Sequence, residues 1–491
     1  MGKTAIVIGS GFAGMSTATH LAKLGWQVTL LEKHSTPGGR ARQFCAQGFT
    51  FDMGPSWYWM PDVFERYFAQ FNKKVSDYYT LQRLDPSYRI HWPDSFTDIP
   101  ASLDEMYTLF ESLEKGAGNQ LKIFLEEAKF KYDTGMQKLV YKPGQKIIEL
   151  IDIDVIKGVF KLDVFSNMQK HVHKFFKHPH LQYLMEFPVL FLGALAKDTP
   201  ALYSLMNYAD IIGGTWWPSN GMYSIVEAMH KVAIEQGVTF LMEHDVERLE
   251  VVNKKINSVF CKNGETFSAD VIISGADYHH TDTKLLAPAF RNYSDTYWES
   301  RKMAPSSLLY YVGLNKKLKN VLHHQLFFDV DFETHANEIY VSKQWPANPL
   351  FYASITSVTD SAVAPQGCDN LFLLIPVAAG IANDTEERRE KYFLQIVKRM
   401  EEKIGDTILD SIVYKKSFGT TDFINEYNSY KGNAYGLANV LTQTANLKPS
   451  ISNKHIDNLF YTGQLTIPGP GVPPSLISGE VVAKYVNKLF A

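Results

Sequence analysis

Three glycines near the start of the chain have the spacing of a phosphate-binding turn. Gly9, Gly11 and Gly14 follow the apolar run TAIVI, and a helix-forming stretch and a second apolar run ending at Glu32 come next. In such a β-α-β unit, glycine lets the backbone approach a pyrophosphate, and the helix N-terminus holds the phosphates. The turn therefore predicts a dinucleotide site made by residues Gly9, Ser10, Gly11, Phe12, Ala13 and Gly14.

The end of the second predicted strand carries Glu32 and Lys33. A carboxylate at this place accepts hydrogen bonds from both ribose hydroxyls of an adenosine. It would also repel a 2′-phosphate, which disfavours a ligand of the NADP type. We therefore expect Glu32 and Lys33 to contact the nucleoside.

A second turn follows this unit, in the segments PGGRA and FTFDMGPS. Gly39 and Arg40 place a cation where it could reach the pyrophosphate, and Gly54, Pro55 and Ser56 bring the chain back after a predicted strand. NAD-binding units have no reason to carry this second turn. It resembles the flavin-binding pattern of the FAD-dependent amine oxidase and carotenoid desaturase superfamily, so FAD is the expected cofactor.

The far end of the chain holds another glycine signature. Thr462-Gly463-Gln464 follows a short predicted strand, and PGPGVPPS, with Gly471, Val472 and Pro473, leads into a last helix. Free amides at that helix N-terminus could point at the flavin edge that gains negative charge on reduction. Upstream, VTFLMEHDVERLEVV, INSVFCK and TFSADVIISGA predict a strand meander, in which Val246 resembles the superfamily position whose backbone meets the adenine.

Over essentially its whole length the chain resembles carotenoid desaturases of the bacterial phytoene desaturase type. The resemblance rests on VIGSGFAGMSTATHLAKLGWQVTLLEK, PGGRA, GGTWWPSNGMYSIVEAM, QTANLKP and NLFYTGQLTIPGPGVPPSLISG. It implies an enzyme that moves a hydride from a long apolar polyene to flavin N5, after which a proton leaves the neighbouring carbon. Phytoene is the favoured substrate, and the alternative is the 3,4 bond of a hydroxylated carotenoid. An amine oxidase and a non-catalytic prenyl-binding escort protein are the rivals from other classes.

No residue can be assigned as the proton acceptor, so the catalytic residues are left open. The acidic candidates are Glu149, Asp152, Asp154, Glu186 and Asp198, and each fits a solvated face or a helix cap better. Backbone carbonyls or water could also serve. No metal site is expected, because the three cysteines are far apart and lack ligand spacing.

The composition indicates what kind of protein this is. The 491 residues are 45% hydrophobic and 21% charged with a net charge of -3, which is typical of a globular protein and gives no sign of a nucleic-acid partner. The longest apolar run, LFLLIPVAAGIA, is shorter than the roughly 20 residues of a membrane span. We expect a cytoplasmic protein without a signal peptide.

A polyene substrate resides in bilayers, so contact with a membrane surface is expected. Residues 156–181 combine apolar positions with five lysines and four histidines, the pattern of an interfacial helix. The alternative is a domain-wall helix with solvated lysines. We therefore expect peripheral attachment to the cytoplasmic membrane, with quinone or oxygen as the electron acceptor.

The fold class predicted is α/β, with a discontinuous Rossmann-like FAD-binding domain in residues 1–75, 215–285 and 440–491. A substrate domain, residues 76–214 and 286–439, would hold a mixed sheet suggested by SSLLYYVGLN, NEIYVSK and NLFLLIPV. A helical, membrane-facing lid is expected near 140–200. The aromatic clusters Trp57-Tyr58-Trp59 and Trp216-Trp217 could line a channel or belong to the core.

Overall fold

A parallel sheet joins the two ends of the chain. The computed structural model describes residues 2–145 and 166–491. Among them, five parallel strands form what we call the nucleotide sheet, in the order Leu459–Tyr461, Val271–Ser274, Thr4–Ile8, Gln27–Leu31 and Thr239–Leu241. These strands are almost wholly apolar, as expected of parallel strands covered on both faces. The first and last strands of the chain thus lie in one sheet with Val271–Ser274 between them.

A second, larger sheet is built from segments that alternate along the chain with those of the first. In the described part of the chain it has seven strands, here called the substrate sheet, in the order Ile412–Phe418, Ser306–Leu314, Asp369–Val377, Phe351–Ser354, His324–Phe327, Tyr88–His91 and Phe96–Ile99. Adjacent strands in this sheet are antiparallel, except that His324–Phe327 and Tyr88–His91 are parallel. The helix Glu386–Ile404 covers one face, where Leu308 and Tyr310 pack against Phe393 and Ile396.

Smaller strands and the helices complete the structure. Short strand pairs are formed by Gln43–Ala46 with Phe49–Asp52, and by Leu81–Arg83 with Trp216–Pro218. The remaining α-helices within the described ranges are Phe12–Lys23, Pro61–Ala69, Leu103–Leu113, Ala117–Thr134, Met168–Phe175, Pro179–Glu186, Leu205–Tyr208, Tyr223–Glu235, Tyr278–His280, Asp295–Ser300, Phe332–Asn337, Thr420–Tyr427 and Val472–Leu489.

Two of the predicted elements differ from the structure. The segment NEIYVSK is not a strand, because Asp331 caps the helix Phe332–Asn337 by accepting a hydrogen bond from Thr334 N, and the helical path continues through Glu338–Ser342. The predicted meander is divided between two sheets: Val246–Val252, Lys255–Cys261 and Thr266–Phe267 form it, whereas its flanking runs supply strands of the nucleotide sheet.

The described part of the predicted interfacial helix, residues 166–181, packs into the protein core. Residues 166–181 contain the helix Met168–Phe175, and the side chains of Met168, Val172 and Phe176 are buried in the core. Its lysines face solvent, so this stretch matches the domain-wall alternative. The remaining residues of that prediction, 156–165, lie outside the described residues. Within the described ranges, no helix has the length and apolar content needed to cross a bilayer.

Candidate active site

One cavity brings the distant sequence signatures together. Its volume is about 490 Å³, and it extends from Ile8 and Leu31, at the carboxyl ends of two nucleotide-sheet strands, to Leu309 and Leu374 of the substrate sheet. Ligands of open parallel sheets bind at this edge. All of the predicted cofactor residues line the cavity except Ser10 and Gly14.

The three glycines of the first turn serve different purposes. A Cβ added to Gly14 would lie 2.0 Å from the Gly9 carbonyl oxygen, so Gly14 permits close packing of the helix Phe12–Lys23 on the turn. A Cβ on Gly11 would meet open space on the cavity side. Gly9 adopts a φ of +93°, a conformation that is unfavourable for residues with a side chain.

Glu32 is buried beside this turn. Its Oε2 accepts hydrogen bonds from Ser10 N at 2.7 Å and from the Ser10 hydroxyl at 2.6 Å, and Oε1 accepts one from His34 N at 2.9 Å. Ser10 therefore contributes by holding Glu32, although it does not line the cavity. The carboxylate is fixed at the cavity wall, where it retains lone pairs for a hydroxyl donor.

Arg40 is a buried cation with an unsatisfied donor. Its Nη2 donates to the Ser429 hydroxyl at 2.7 Å, its guanidinium lies 5.4 Å from the ring of Tyr427, and Nε has no hydrogen-bond partner among the described residues. Burial lowers the pKa of Arg40, and Asp277 partly offsets this. Next to it, a Cβ on Gly54 would lie 2.5 Å from the Arg40 carbonyl oxygen. A bound pyrophosphate would satisfy both the charge and the orphaned donor, so these residues fit a dinucleotide.

The C-terminal signature closes the other side. Gly463 has a φ of +117°, its N–H donates to the Ser478 hydroxyl at 3.0 Å, and Gly479 packs so closely on the first helix that a Cβ would lie 2.5 Å from Ala13 O. The helix Val472–Leu489 begins at the cavity. Its first turn offers fewer free amides than expected, because Pro473 and Pro474 have no N–H and only Val472 can donate.

The rest of the cavity, which we call the substrate end, is mainly apolar and aromatic. In the described part of the chain it is lined by Trp57, Trp59, Met60, Phe187, Met206, Pro305, Ser307, Leu309, Leu326, Phe328, Phe332, His335, Ala336, Ile339, Tyr340, Leu350, Phe351, Tyr352, Leu374, Pro376, Ala434 and Tyr435. No carboxylate occurs among these residues. Trp216 and Trp217 do not line it.

Of the acidic candidates for the proton acceptor, the two that the structure describes, Glu186 and Asp198, do not line this cavity. Asp198 is exposed to solvent, whereas Glu186 is buried beside His173, with Oε1 and Nε2 2.9 Å apart. Burial and then Glu333 raise the pKa of Glu186 to about 7. The other candidates, residues 149, 152 and 154, lie outside the described residues.

Several lining residues were not anticipated. His280 lines the nucleotide part of the cavity with Asp245 and Asp277. Tyr352 lines the cavity, and Ser429 accepts a hydrogen bond from Arg40 without lining it. Both are far in sequence from the glycine signatures, and no motif marks them. A signal existed only for Asp277, which follows the strand Val271–Ser274 where the chain passes the cavity again.

Known proteins agree with this architecture. The sequence profile of flavin containing amine oxidoreductases matches residues 12–487. The chain belongs to that family. It is therefore a flavin-dependent oxidoreductase, and its relatives place it among the carotenoid desaturases. It is 40% identical to a carotenoid 3,4-desaturase of Haloarcula japonica over 98% of both chains. It is 30% identical to a zeta-carotene-forming phytoene desaturase of Myxococcus xanthus, over 98% of this chain and 93% of that one.

Solved structures show the same fold. An oxidoreductase from Methanosarcina mazei superimposes with a TM-score of 0.64 at 14% identity, covering 99% of this chain and 100% of that one. A putrescine oxidase bound to putrescine gives 0.62 at 11% identity, covering 99% of both chains. At these identities the likeness concerns the fold alone. Among the described residues, no cluster of histidine, cysteine and acidic side chains could hold a metal ion.

Proposed function

We propose that the protein is an FAD-dependent desaturase of a long apolar carotenoid. One observation carries the proposal: a single cavity joins a dinucleotide cradle, with the orphaned Arg40 donor, to an apolar substrate end without carboxylates. The functions of the relatives at 40% and 30% identity supply the substrate class. FAD, rather than a smaller flavin, fits because the first glycine turn and Glu32 form an adenosine and pyrophosphate site.

The residues of the chain then have separate tasks. Bound flavin supplies the hydride acceptor, which is the difficult part of the chemistry. Arg40 and the glycine turns bind the pyrophosphate, Glu32 orients the ribose, and Val246 lies at the adenine. The aromatic wall formed by Trp57, Trp59 and its neighbours orients the polyene and excludes water, which would otherwise capture an allylic cation.

Two carotenoid substrates remain. The relative with 40% identity favours desaturation of the 3,4 bond of a hydroxylated carotenoid, and phytoene, with relatives at 30% and 28% identity, is the second candidate. An amine oxidase is less well supported, because the substrate end lacks a carboxylate to pair with an ammonium group. The strong resemblance to catalytic desaturases speaks against an escort protein.

Expression in pigment-accumulating hosts tests the proposal. A host that accumulates phytoene and one that accumulates a hydroxylated, 3,4-saturated carotenoid are each given the chain, and extracts are read by absorbance and chromatography. Longer-wavelength products in either host support a desaturase and identify the substrate. No product in either host, together with peroxide release from amines, would favour an amine oxidase.

The cofactor part of the proposal has its own prediction. Arg40→Met should weaken FAD binding by about 10- to 100-fold, because a hydrogen bond to a charged group contributes about 1.5–3 kcal/mol. Titration of the apoprotein with FAD, followed by fluorescence, gives the affinity. Arg42→Met is the control, since Arg42 pairs with Glu426 at 2.7 Å and does not line the cavity. Equal affinities for the two variants would contradict the assignment.

We also propose that the protein acts at the surface of the cytoplasmic membrane and passes its electrons to quinone or oxygen. Insolubility of a carotenoid in water and the apolar, basic composition of residues 156–165 support membrane contact. Flotation with anionic liposomes should be reduced in a Phe160→Asp/Phe165→Asp variant. Flotation equal to that of the wild type would exclude this segment as the contact.

A further inference from the structure

A tyrosine and a histidine connect the substrate end to a buried polar group behind its wall. Tyr352 lines the cavity, and its hydroxyl lies 2.6 Å from Nδ1 of His324. The His324 ring stacks on Trp57 with centroids 4.3 Å apart and an interplanar angle of 8°. Trp57 directly follows Gly54–Ser56, the stretch expected to contact the flavin, so the pair lies beside the region where the reacting carbons would be held.

The other basic side chain at the substrate end is already occupied. His335 Nδ1 accepts a hydrogen bond from Leu350 N at 2.9 Å, and its Nε2 lies 3.1 Å from the Pro376 carbonyl oxygen, to which it donates. Burial lowers the pKa of His335 to about 4. With no carboxylate among the described residues of the substrate end, His324 is the base that can be reached there, through the hydroxyl of Tyr352.

We propose, on the basis of the proposed function, that Tyr352 and His324 together accept the proton that the substrate loses. Once the flavin has removed a hydride, a C–H bond on the neighbouring carbon breaks and its electron pair forms the new double bond. The proton passes to the Tyr352 oxygen while the Tyr352 hydroxyl proton moves to His324 Nδ1. Tyr352 touches the substrate and is a catalytic residue, and His324 acts through it.

The surroundings of His324 suit a transient proton carrier. Burial, and then the neighbouring His323, lower the pKa of His324, so the resting imidazole is neutral and Nδ1 can accept. His323 follows, with its ring centroid 4.3 Å from that of His324, and its Nδ1 lies 2.8 Å from the hydroxyl of the half-buried Thr359. The low basicity of the buried imidazole favours release of the proton once the product has formed.

The test compares Tyr352→Phe and His324→Phe with the wild type, using the carotenoid that the wild type converts. Both changes retain an aromatic ring and remove the polar atoms of the pair, although phenyl at position 324 is larger than imidazole. We expect product formation to fall by about 10²-fold, at the low end of the contribution of a positioned proton acceptor. The isotope effect from deuterium on the carbon that loses the proton should rise, because proton loss becomes rate-limiting. The double variant should be no slower than either single variant.

A control variant distinguishes loss of the relay from general damage to the structure. Tyr310→Phe is the matched control, since Tyr310 is a buried tyrosine of the same sheet that donates to Arg389 O at 2.6 Å and does not line the cavity. Flavin content and melting temperature are measured for every variant. A rate loss with an unchanged isotope effect, or wild-type rates in Tyr352→Phe, would overturn the relay alone. Absence of conversion by the wild type in any host would overturn the proposed function and the relay with it.

Discussion

At the scale of single residues, substitutions at Gly14 and Gly11 should affect different properties: the first the stability of the fold, and the second the binding of flavin. Gly14→Ala should lower the free energy of unfolding of the apoprotein by about 1–3 kcal/mol, as overpacking does, because its Cβ would lie 2.0 Å from Gly9 O. Gly11→Ala should leave the apoprotein stable, since its Cβ meets open space, and weaken flavin binding by filling the cavity side. Urea unfolding of the apoprotein and FAD titration distinguish the two. Equal stability losses would contradict this division.

The residues of the cofactor cradle could be predicted from the sequence because the backbone conformation at these positions requires glycine. Gly9, Gly39 and Gly463 all have a positive φ, a local requirement that leaves a mark in sequence. Tyr352 and His324 leave no such mark. They meet because two adjacent antiparallel strands of the substrate sheet place them together across 28 positions of sequence, and their chemistry depends on packing against Trp57.

At the scale of elements, Asp384 fastens the helix Glu386–Ile404 to the helix Thr420–Tyr427. Its carboxylate receives two hydrogen bonds from Arg389, at 2.7 and 2.8 Å, and one from Thr421 N at 3.0 Å. Tyr427, at the end of the second helix, lines the cavity beside Arg40. Loss of the Asp384 hydrogen bonds would therefore affect the cofactor site, because it would allow the helix Thr420–Tyr427 to shift.

This fastening predicts a dependence on pH. Burial alone would raise the pKa of Asp384, but the hydrogen bonds from Arg389 and Thr421 outweigh it and hold the pKa below 3.8. The stability it gives is therefore complete above that value and is lost as the pH falls through the lowered pKa. Asp384→Asn should cost about 3 kcal/mol at pH 7, and less below pH 3.8.

Urea unfolding at neutral and acidic pH measures this difference. Glu386→Gln provides the control, because Glu386 contacts the same arginine at 3.2 Å but its side chain is 81% exposed, and exposed ion pairs contribute little. A difference between Asp384→Asn and the wild type that stays constant with pH would show that the charge of Asp384 is not what holds the two helices together.

Elements with strong local signals were predicted well, and those decided by neighbours were not. Strands Ser306–Leu314 and Asp369–Val377 are long, mainly apolar runs that are buried on both faces of the sheet. In NEIYVSK the alternation of Ile339 and Val341 resembles a strand, yet the cap at Asp331 starts a helix and places Ile339 at the cavity while Val341 remains exposed.

At the scale of the whole molecule, the two sheets define the length of the cavity. The nucleotide sheet holds one end, and the helix Phe332–Asn337, which leads into Glu338–Ser342, closes part of the other. Substrate length is thus a property of how the two halves are arranged, and a change at the far wall should leave the cofactor cradle intact. Ala336, 5% exposed and lining the substrate end, is the position at which to fill the cavity.

Ala336→Trp should therefore lower carotenoid conversion by at least about tenfold while the protein keeps its flavin. The indole can occupy cavity space, so little overpacking is expected, and the loss should appear as weaker substrate binding, because apolar burial contributes about 25 cal/mol per Å². Val341→Trp, in the same segment but 63% exposed, is the control and should convert substrate normally. The measurements are flavin absorbance per protein and conversion over a range of substrate concentrations. Normal conversion by Ala336→Trp would mean that the polyene does not extend to this wall, and loss of flavin would mean that the cradle and the substrate end are not independent.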